Sequence, residues 1–253
     1  MVWKRTFAGA APERVNKWLA QSSVCSRREA EALIAQGLVR IDGERIVDAG
    51  HKIAPGHTLE LADKATRQLG GAITIVLNKP VGFVSAAPQR GETPAARLVV
   101  AERLFGKADS IPSKQAKLAP LGRLDQDSRG LLLLSEDGAL AKAVIGPESE
   151  MEKEYFVRVR GQVNAAKLAL LREGLTLDGR KLKRAGVTRM DDGALRFVLS
   201  EGMKRQIRRM CEAVELHAVD LLRVRIGAVE LGDLPEGKWR PLSAAEREAL
   251  MRC

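Results

Sequence analysis

The sequence has few aromatic residues and few cysteines. Aromatic residues make up 4% of the 253 residues, and Tyr155 is the single tyrosine. Cys25, Cys211 and Cys253 lie far apart, form no Cys-x-x-Cys pair and share no metal-ligand spacing with the three histidines. These absences argue against a zinc site and against a disulfide framework, and they predict reduced thiols in a reducing cytoplasm.

Long apolar runs are also missing. The N-terminus carries Lys4 and Arg5 but no apolar stretch of the kind found in a signal peptide. No run approaches the roughly 20 apolar residues that a membrane span needs. Neither a P-loop nor a dinucleotide-binding fingerprint occurs. We therefore expect a cytoplasmic protein that binds no membrane and needs no cofactor, and a monomer, since no oligomer interface is indicated.

Positive charge is in excess. The chain has 42 Lys and Arg against 32 Asp and Glu, a net charge of +10, and its pI is near 9.8. Such a balance is typical of proteins that bind nucleic acid, although some proteins are basic without doing so. The positions of the cations must therefore decide between the two interpretations.

The first part of the chain predicts a small helical and β-stranded module. After a flexible lead-in over residues 1–11, residues 12–61 contain two helices and several short strands. The second helix opens with a capping box formed by Ser26 and Glu29, and Gly37 ends it. A polar stretch over 62–71 indicates a linker.

Residues 72–253 predict a larger domain of the α+β class. Its sheet is expected to be mixed but mainly antiparallel, with flanking helices. Periodicity predicts strands at 73–77, 131–134, 155–160, 195–199 and 221–226. The least regular stretch, 85–117, is expected to be a loop around one short helix at 94–105.

Two groups of cations lie where local electrostatics disfavours them. Arg27 and Arg28 fall in the first turn of a helix, where a cation costs about 0.3–1 kcal/mol. Such a helix start suits a phosphate, although both side chains could instead extend into water. Farther along, the apolar spacing of 207–214 predicts an amphipathic helix. Lys204 with Arg208, and Arg205 with Arg209, would stack on it as like-charge pairs.

That second group indicates contact with phosphates or with a buried carboxylate. Glu212, four residues after Arg208, offers a structural partner for that one arginine. The other three cations have no such partner in the local sequence, which favours an anionic ligand.

Several motifs resemble those of known families. The first module, with Arg14 to Leu19 and Cys25 to Ala30, resembles the S4 RNA-binding domain. The larger domain resembles the bacterial ribosomal RNA pseudouridine synthases of the RsuA/RluF kind. Its matching segments, in order, are Leu77-Asn78-Lys79-Pro80-Val81-Gly82, Gly122-Arg123-Leu124-Asp125, Glu152-Lys153-Glu154-Tyr155, Glu201 to Met210 and Gly237 to Leu242.

The resemblance implies an activity and the residues that carry it. The enzyme would isomerise a uridine of ribosomal RNA, with the large-subunit 23S RNA favoured over small-subunit RNA or tRNA, by flipping the base and without a cofactor. Asp125 would be the catalytic aspartate, Tyr155 the residue that stacks on the base, Arg208 the partner of the aspartate and Arg123 the residue that helps to extrude the uridine. RNA-contacting positions would be Arg27, Arg28, Lys79, Lys204, Arg205 and Arg209.

Other interpretations stay open at this stage. Taken alone, Asp125 is an ordinary turn aspartate, and we assign structural roles to Asp127 and Ser128. An RNA-binding assembly factor without activity would be expected to lack Asp125, Tyr155 or Arg208. A glycosidase-like hydrolase usually needs a second carboxyl group with a raised pKa, and the arginines near Asp127 would lower its pKa instead.

Overall fold

The computed structural model describes residues 3–113 and 115–252. Backbone contacts divide the chain into two compact units. The first comprises the described residues up to Ile73 together with Ser135–Lys142, and the second comprises those of Thr74–Leu134 and from Ala143 onward. The assignment of Ser135–Lys142 to the first unit is not foreseeable from sequence order.

The regular elements alternate along the described residues. The helices are α1 Val15–Gln21, α2 Arg27–Ala35, α3 Asp63–Gly70, α4 Gly138–Ile145, α5 Ala165–Glu173, α6 Gln206–Ala213 and α7 Ala244–Arg252. The strands are β1 Lys4–Thr6, β2 Glu13–Arg14, β3 Val39–Ile41, β4 Glu44–Ile46, β5 Lys52–Ile53, β6 Thr58–Leu61, β7 Thr74–Lys79, β8 Phe83–Val84, β9 Thr93–Pro94, β10 Ala119–Pro120, β11 Arg129–Ser135, β12 Lys153–Arg160, β13 Thr176–Leu177, β14 Arg180–Lys181, β15 Gly186–Arg189, β16 Leu195–Leu199, β17 His217–Ile226, β18 Val229–Glu230 and β19 Trp239–Pro241.

The first unit packs α1 and α2 beside a four-stranded sheet of order β1-β6-β3-β4. The two predicted helices are present and each buries an apolar face, with Val15 and Leu19 from α1 and Ile34 from α2 fully enclosed. The capping box is confirmed: Ser26 Oγ accepts from the Glu29 amide, and the Glu29 carboxylate accepts from the Ser26 amide. An N-cap of this kind stabilises a helix by about 1 kcal/mol.

Two expectations for this part of the chain are corrected. The lead-in over residues 1–11 is not flexible throughout, because β1 pairs antiparallel with β6 and Phe7 is buried in the core. The predicted linker 62–71 is largely the helix α3, in which Ala65 is buried. Residues 1 and 2 lie outside the described part of the chain.

The second unit is built on a mixed sheet, as predicted. Its main path runs β15-β16-β12-β17-β11-β7-β19. The pairs β15–β16, β16–β12, β12–β17 and β7–β19 are antiparallel, whereas β11 and β17 are parallel. Gly130 permits this parallel pair to approach: its φ is +105°, and a Cβ there would overlap the backbone of Arg223. The α+β class is confirmed.

Two local predictions in this unit are wrong. The expected helix at 94–105 is replaced by two short 3₁₀ turns, Ala95–Leu98 and Ala101–Arg103. The amphipathic helix begins only at Gln206, and Arg205 before it has a left-handed backbone with φ of +54°. Lys204 and Arg205 therefore precede α6 and do not stack on it.

Within the part of the chain that the structure describes, no helix is long and apolar enough to span a bilayer.

Candidate active site

One open cleft in the second unit, of about 880 Å³, brings together the four predicted catalytic residues. Asp125 and Arg123 reach it from the loop between β10 and β11, Tyr155 from β12 and Arg208 from α6. These elements are far apart in sequence, so the convergence is a product of the sheet order. The Tyr155 residue is 9% exposed, and it pairs in register with Phe197 of β16 and Arg223 of β17.

The backbone beside Asp125 is held by a buried serine. The Ser85 hydroxyl donates to the Leu124 carbonyl at 2.7 Å and accepts from the Leu124 amide at 2.9 Å. On the other side, the Ser128 amide donates to the Asp125 carbonyl at 3.1 Å. With its two flanks fixed in this way, Asp125 is presented to the cleft with little backbone freedom.

Arg223 holds the same loop from the sheet. Its Nε donates to the Leu131 carbonyl at 2.7 Å, and its Nη1 makes a longer contact of 3.4 Å with the Arg123 carbonyl. Gly122 has a φ of +88°, a conformation that a side chain would strain. The loop path toward Asp125 is thus set by one glycine, one serine and one arginine.

A buried ammonium lies near Asp125. Lys79 has no exposed surface and donates to the carbonyls of Pro80 and Phe83, both at 2.8 Å. Desolvation lowers the pKa of Lys79 to about 8, although the negative charges of Asp127 and Asp125 oppose that shift. Among residues 3–113 and 115–252, no hydrogen bond or ion pair reaches the Asp125 carboxylate.

The burial of Lys79 bears on one predicted role. An ammonium that is fully enclosed and bound to two backbone carbonyls offers no surface to a phosphate in this structure. RNA contact by Lys79 therefore stays a prediction, and the residue places positive charge near Asp127 and Asp125.

The partner of Arg208 also differs from the expectation. Its Nη2 lies 3.3 Å from a carboxylate oxygen of Asp127 and donates to the Asp127 carbonyl at 2.8 Å. Its Nη1 donates to the Ala218 carbonyl at 2.8 Å. The expected ion pair with Asp125 is thus corrected: Arg208 is bound to the turn two residues farther on.

The neighbouring cations are less free than the sequence indicated. Arg205 pairs with Asp127 at 3.0 Å, and Arg209 pairs with Asp178 at 2.6 Å. Lys204 is exposed at the cleft, and nothing in the described part of the chain pairs with it. The charge argument for an anionic ligand therefore applies to Lys204, while RNA contact by Arg205 and Arg209 stays a prediction.

In the first unit, Arg27 and Arg28 are exposed in the opening turn of α2. Neither has a hydrogen-bonding or ionic partner among the described residues. The Glu29 carboxylate already accepts from the Ser26 amide at this helix start, so an incoming anion would meet the two guanidinium groups more readily than the helix terminus.

Three residues of the site were given no role from sequence. Ser85 lies in the stretch that gave no legible pattern, Arg223 lies within the predicted strand 221–226, and Lys153 belongs to the motif before Tyr155 but precedes the predicted strand 155–160. A charged residue inside an apolar strand, as in the Leu221 to Ile226 run, is the signal that could have indicated Arg223.

The comparisons with known proteins agree with this geometry. A family model described as RNA pseudouridylate synthase matches residues 73–213, and the S4 domain model matches residues 13–59. The chain belongs to the RNA pseudouridylate synthase family. It is an RNA pseudouridine synthase with an N-terminal S4 domain, as the motifs predicted.

Relatives cover most of the chain. The dual-specificity RNA pseudouridine synthase RluF of Escherichia coli K12 is 32% identical over 238 residues, which are 92% of this chain and 76% of RluF. An uncharacterized RNA pseudouridine synthase of Aquifex aeolicus is 32% identical over 94% of both chains. A crystal structure of a pseudouridylate synthase, 28% identical, superimposes with a TM-score of 0.64 over 94% of this chain and 99% of that one.

Proposed function

We propose that the protein converts one uridine of ribosomal RNA, in the large-subunit 23S RNA, to pseudouridine, with Asp125 as the catalytic group and without a cofactor. The observation that carries the proposal is the convergence of Asp125, Tyr155, Arg123 and Arg208 on one cleft. The matching motifs of large-subunit enzymes support the choice of RNA. Small-subunit RNA and tRNA are the alternative substrates.

The reaction breaks the C1′–N1 bond, turns the uracil and joins C5 to C1′, while the C5 proton is lost and N1 gains a proton. An ionised carboxylate can act at the sugar or at the base during these steps. The buried ammonium of Lys79 supplies positive charge near Asp127 and Asp125. Arg208 contributes through the turn that it binds at Asp127.

The cleft also suits a base that has left its helix. Flipping a nucleotide costs a few kcal/mol, which stacking on an aromatic ring and hydrogen bonds to the base edge offset. Tyr155 offers the ring at the cleft, and the exposed Arg123 lies at the same loop as Asp125. We assign stacking to Tyr155 and displacement of the uridine to Arg123.

Replacement of the carboxylate tests the proposal. We expect Asp125→Asn to fold and to bind 23S transcript labelled with tritium at C5 of uridine, but to release no tritium. The matched control is Asp192→Asn, which lies on the surface and pairs with Arg158; it should release tritium at the wild-type rate. Release by the Asp125 variant would remove this residue from the mechanism.

The RNA target needs a separate experiment. We expect total RNA from a strain lacking the gene to have lost one pseudouridine of 23S RNA; loss from 16S RNA or tRNA instead would contradict the assignment. We further propose that the enzyme is a monomer, which light scattering would test. The buried free thiols of Cys25 and Cys211 support a cytoplasmic location.

A further inference from the structure

The two faces of the central strands β12 and β17 differ in charge: cations are paired with a carboxylate on one face and have no ionic partner on the other. Glu154 pairs with Arg225 and Tyr155 with Arg223, and a β-bulge separates these two pairs. Glu154 points to the face away from Tyr155, because neighbouring residues of β12 alternate. There its carboxylate accepts from Arg196 at 2.6 Å and from Arg225 at 3.0 Å. The cations on that face are thus neutralised by a carboxylate within hydrogen-bonding distance.

On the cleft face the same strands present cations without an anion. Lys153 and Arg223 both line the cleft, as does Tyr155. Lys153 precedes Tyr155 by two residues on β12, and Arg223 of β17 lies opposite Tyr155 in the register of the two strands. No ion pair of either cation occurs among residues 3–113 and 115–252.

Arg223 keeps an unused donor in a buried position. The residue is 1% exposed; its Nε donates to Leu131 of β11, and its Nη1 makes the longer contact with the Arg123 carbonyl in the loop before β11. Its Nη2 is buried without a hydrogen-bond partner in the described residues. A buried charged group without partners is costly, and an acceptor that a ligand brings into the cleft would offset this cost after a small shift of the guanidinium.

Lys153 also has hydrogen-bond donors without an acceptor. Its ammonium donates to the Met151 carbonyl at 2.9 Å, which leaves two of its three protons free. Desolvation, and then the charge of Arg223, lower its pKa to about 8. The ammonium therefore lies in a poorly hydrated place beside a second cation, where an incoming negative charge would be strongly stabilised.

We propose that Lys153 and Arg223 stabilise the negative charge that develops on the uracil ring when the C1′–N1 bond breaks. The inference rests on the proposed function. The bonding electron pair stays with the base, where N1 and the two carbonyl oxygens share it, and the carboxylate of Asp125 faces the electron-poor sugar or base carbon. Whichever atom Asp125 meets first, the uracil carries the charge at this step.

The burial of Arg223 favours the base over a phosphate as the ligand of the two cations. Arg223 is almost fully enclosed and shares its strand-pair position with Tyr155, the proposed stacking platform. A planar ring lying on Tyr155 would bring its edge to this place, whereas the backbone phosphates would remain near the exposed Lys204. Fixed charges aimed at a developing anion are the strongest general means of lowering a barrier.

We choose Lys153 for the test, because Arg223 also hydrogen-bonds to the backbone and its replacement would disturb the fold. With a tritium-labelled transcript that the wild type modifies, we expect Lys153→Met to bind with unchanged Kd and to react about 100-fold more slowly in single turnover. Lys153→Arg, which keeps the charge, should restore most of the rate. The control Lys167→Met, at a lysine that pairs with Glu215 outside the cleft, should react at the wild-type rate.

A change of the leaving base separates charge stabilisation from a structural role. Fluorine at C5 stabilises the uracil anion, so cleavage at 5-fluorouridine needs less help from a cation. We expect the defect of Lys153→Met to shrink at least several-fold on 5-fluorouridine RNA, with loss of the target nucleoside followed by liquid chromatography coupled to mass spectrometry, because an isomeric product has the same mass.

An equal defect on both RNAs, or a wild-type rate for Lys153→Met, would overturn the inference while leaving the proposed function intact. A wild-type enzyme that releases no tritium from any ribosomal RNA or tRNA transcript would instead contradict the proposed function itself.

Discussion

Arg208 is bound to Asp127 and not to Asp125. The guanidinium touches Asp127 twice, at its carboxylate and at its backbone carbonyl, and it is itself 7% exposed. Asp127 also pairs with Arg205. Two arginines thus bind the turn that follows Asp125, and neither of them contacts the Asp125 carboxylate.

The first prediction concerns that turn. We expect Asp127→Asn to slow tritium release by at most about tenfold, because the half-exposed carboxylate contributes on the order of 1 kcal/mol and the backbone bonds of Arg208 remain. Single-turnover rates for Asp127→Asn and Asp125→Asn provide the comparison. Equal, complete loss in both variants would mean that Asp127 takes part in the chemistry.

The second prediction concerns the pH dependence of stability through Lys79. Its pKa is about 8 in the folded protein, against an ordinary value of 10.5, so between these values the unfolded chain binds more protons. Stability therefore rises with pH across that window and the cost of the buried charge is fully present below it. In urea unfolding, the free energy of unfolding of the wild type minus that of Lys79→Met should rise from pH 8 to 10. A difference that stays constant would contradict the pKa shift.

Much of the fold could be predicted because local patterns and tertiary structure agree. The Leu131 to Leu134 run is apolar without interruption and is a fully buried strand, and the Ser26 capping box marks the start of α2 as observed. The prediction of a helix at 94–105 is wrong because two short 3₁₀ turns accommodate the residues that were expected to form it. The prediction of a linker at 62–71 relied on its polar composition. Polar residues can also form a helix, and Asp63 to Gly70 do so.

The convergence of the motif residues on one cleft follows the prediction, but their contacts could not be predicted. Motifs named Asp125, Tyr155 and Arg208, yet the local sequence does not show that Arg208 binds Asp127. Nor does it show that Lys204 and Arg205 precede α6. The burial of Lys79 follows from its position at the end of β7 inside the sheet. The local sequence does not show which neighbouring strands will bury the Lys79 side chain.

The third prediction tests the S4 domain as an RNA-binding surface. Arg27 and Arg28 are exposed without partners among the described residues, so replacing both by Ala should flatten the slope of log affinity against log salt by about 0.7–0.9 for each phosphate that is no longer neutralised. The double Lys variant, which keeps both charges, is the control and should retain the slope. An unchanged slope for the Ala variant would show that this helix start does not meet phosphate.

The fourth prediction concerns Ser85 as a positioning residue. In Ser85→Ala, the amide and the carbonyl of Leu124 lose their buried partner, at a cost of about 1–3 kcal/mol, and Asp125 beside them gains freedom. We therefore expect slower single-turnover tritium release with little change in Kd for RNA, together with a lower free energy of unfolding.

Loss of stability alone would not explain a slower reaction, and Ser243→Ala supplies the control. The Ser243 hydroxyl accepts from the Glu246 amide at 3.2 Å at the start of α7, and its removal should cost about 1 kcal/mol of stability. Because Ser243 does not line the cleft, the rate below the unfolding transition should stay at the wild-type value. If both variants lose stability and both keep the full rate, the hydroxyl of Ser85 serves the fold without setting the position of Asp125.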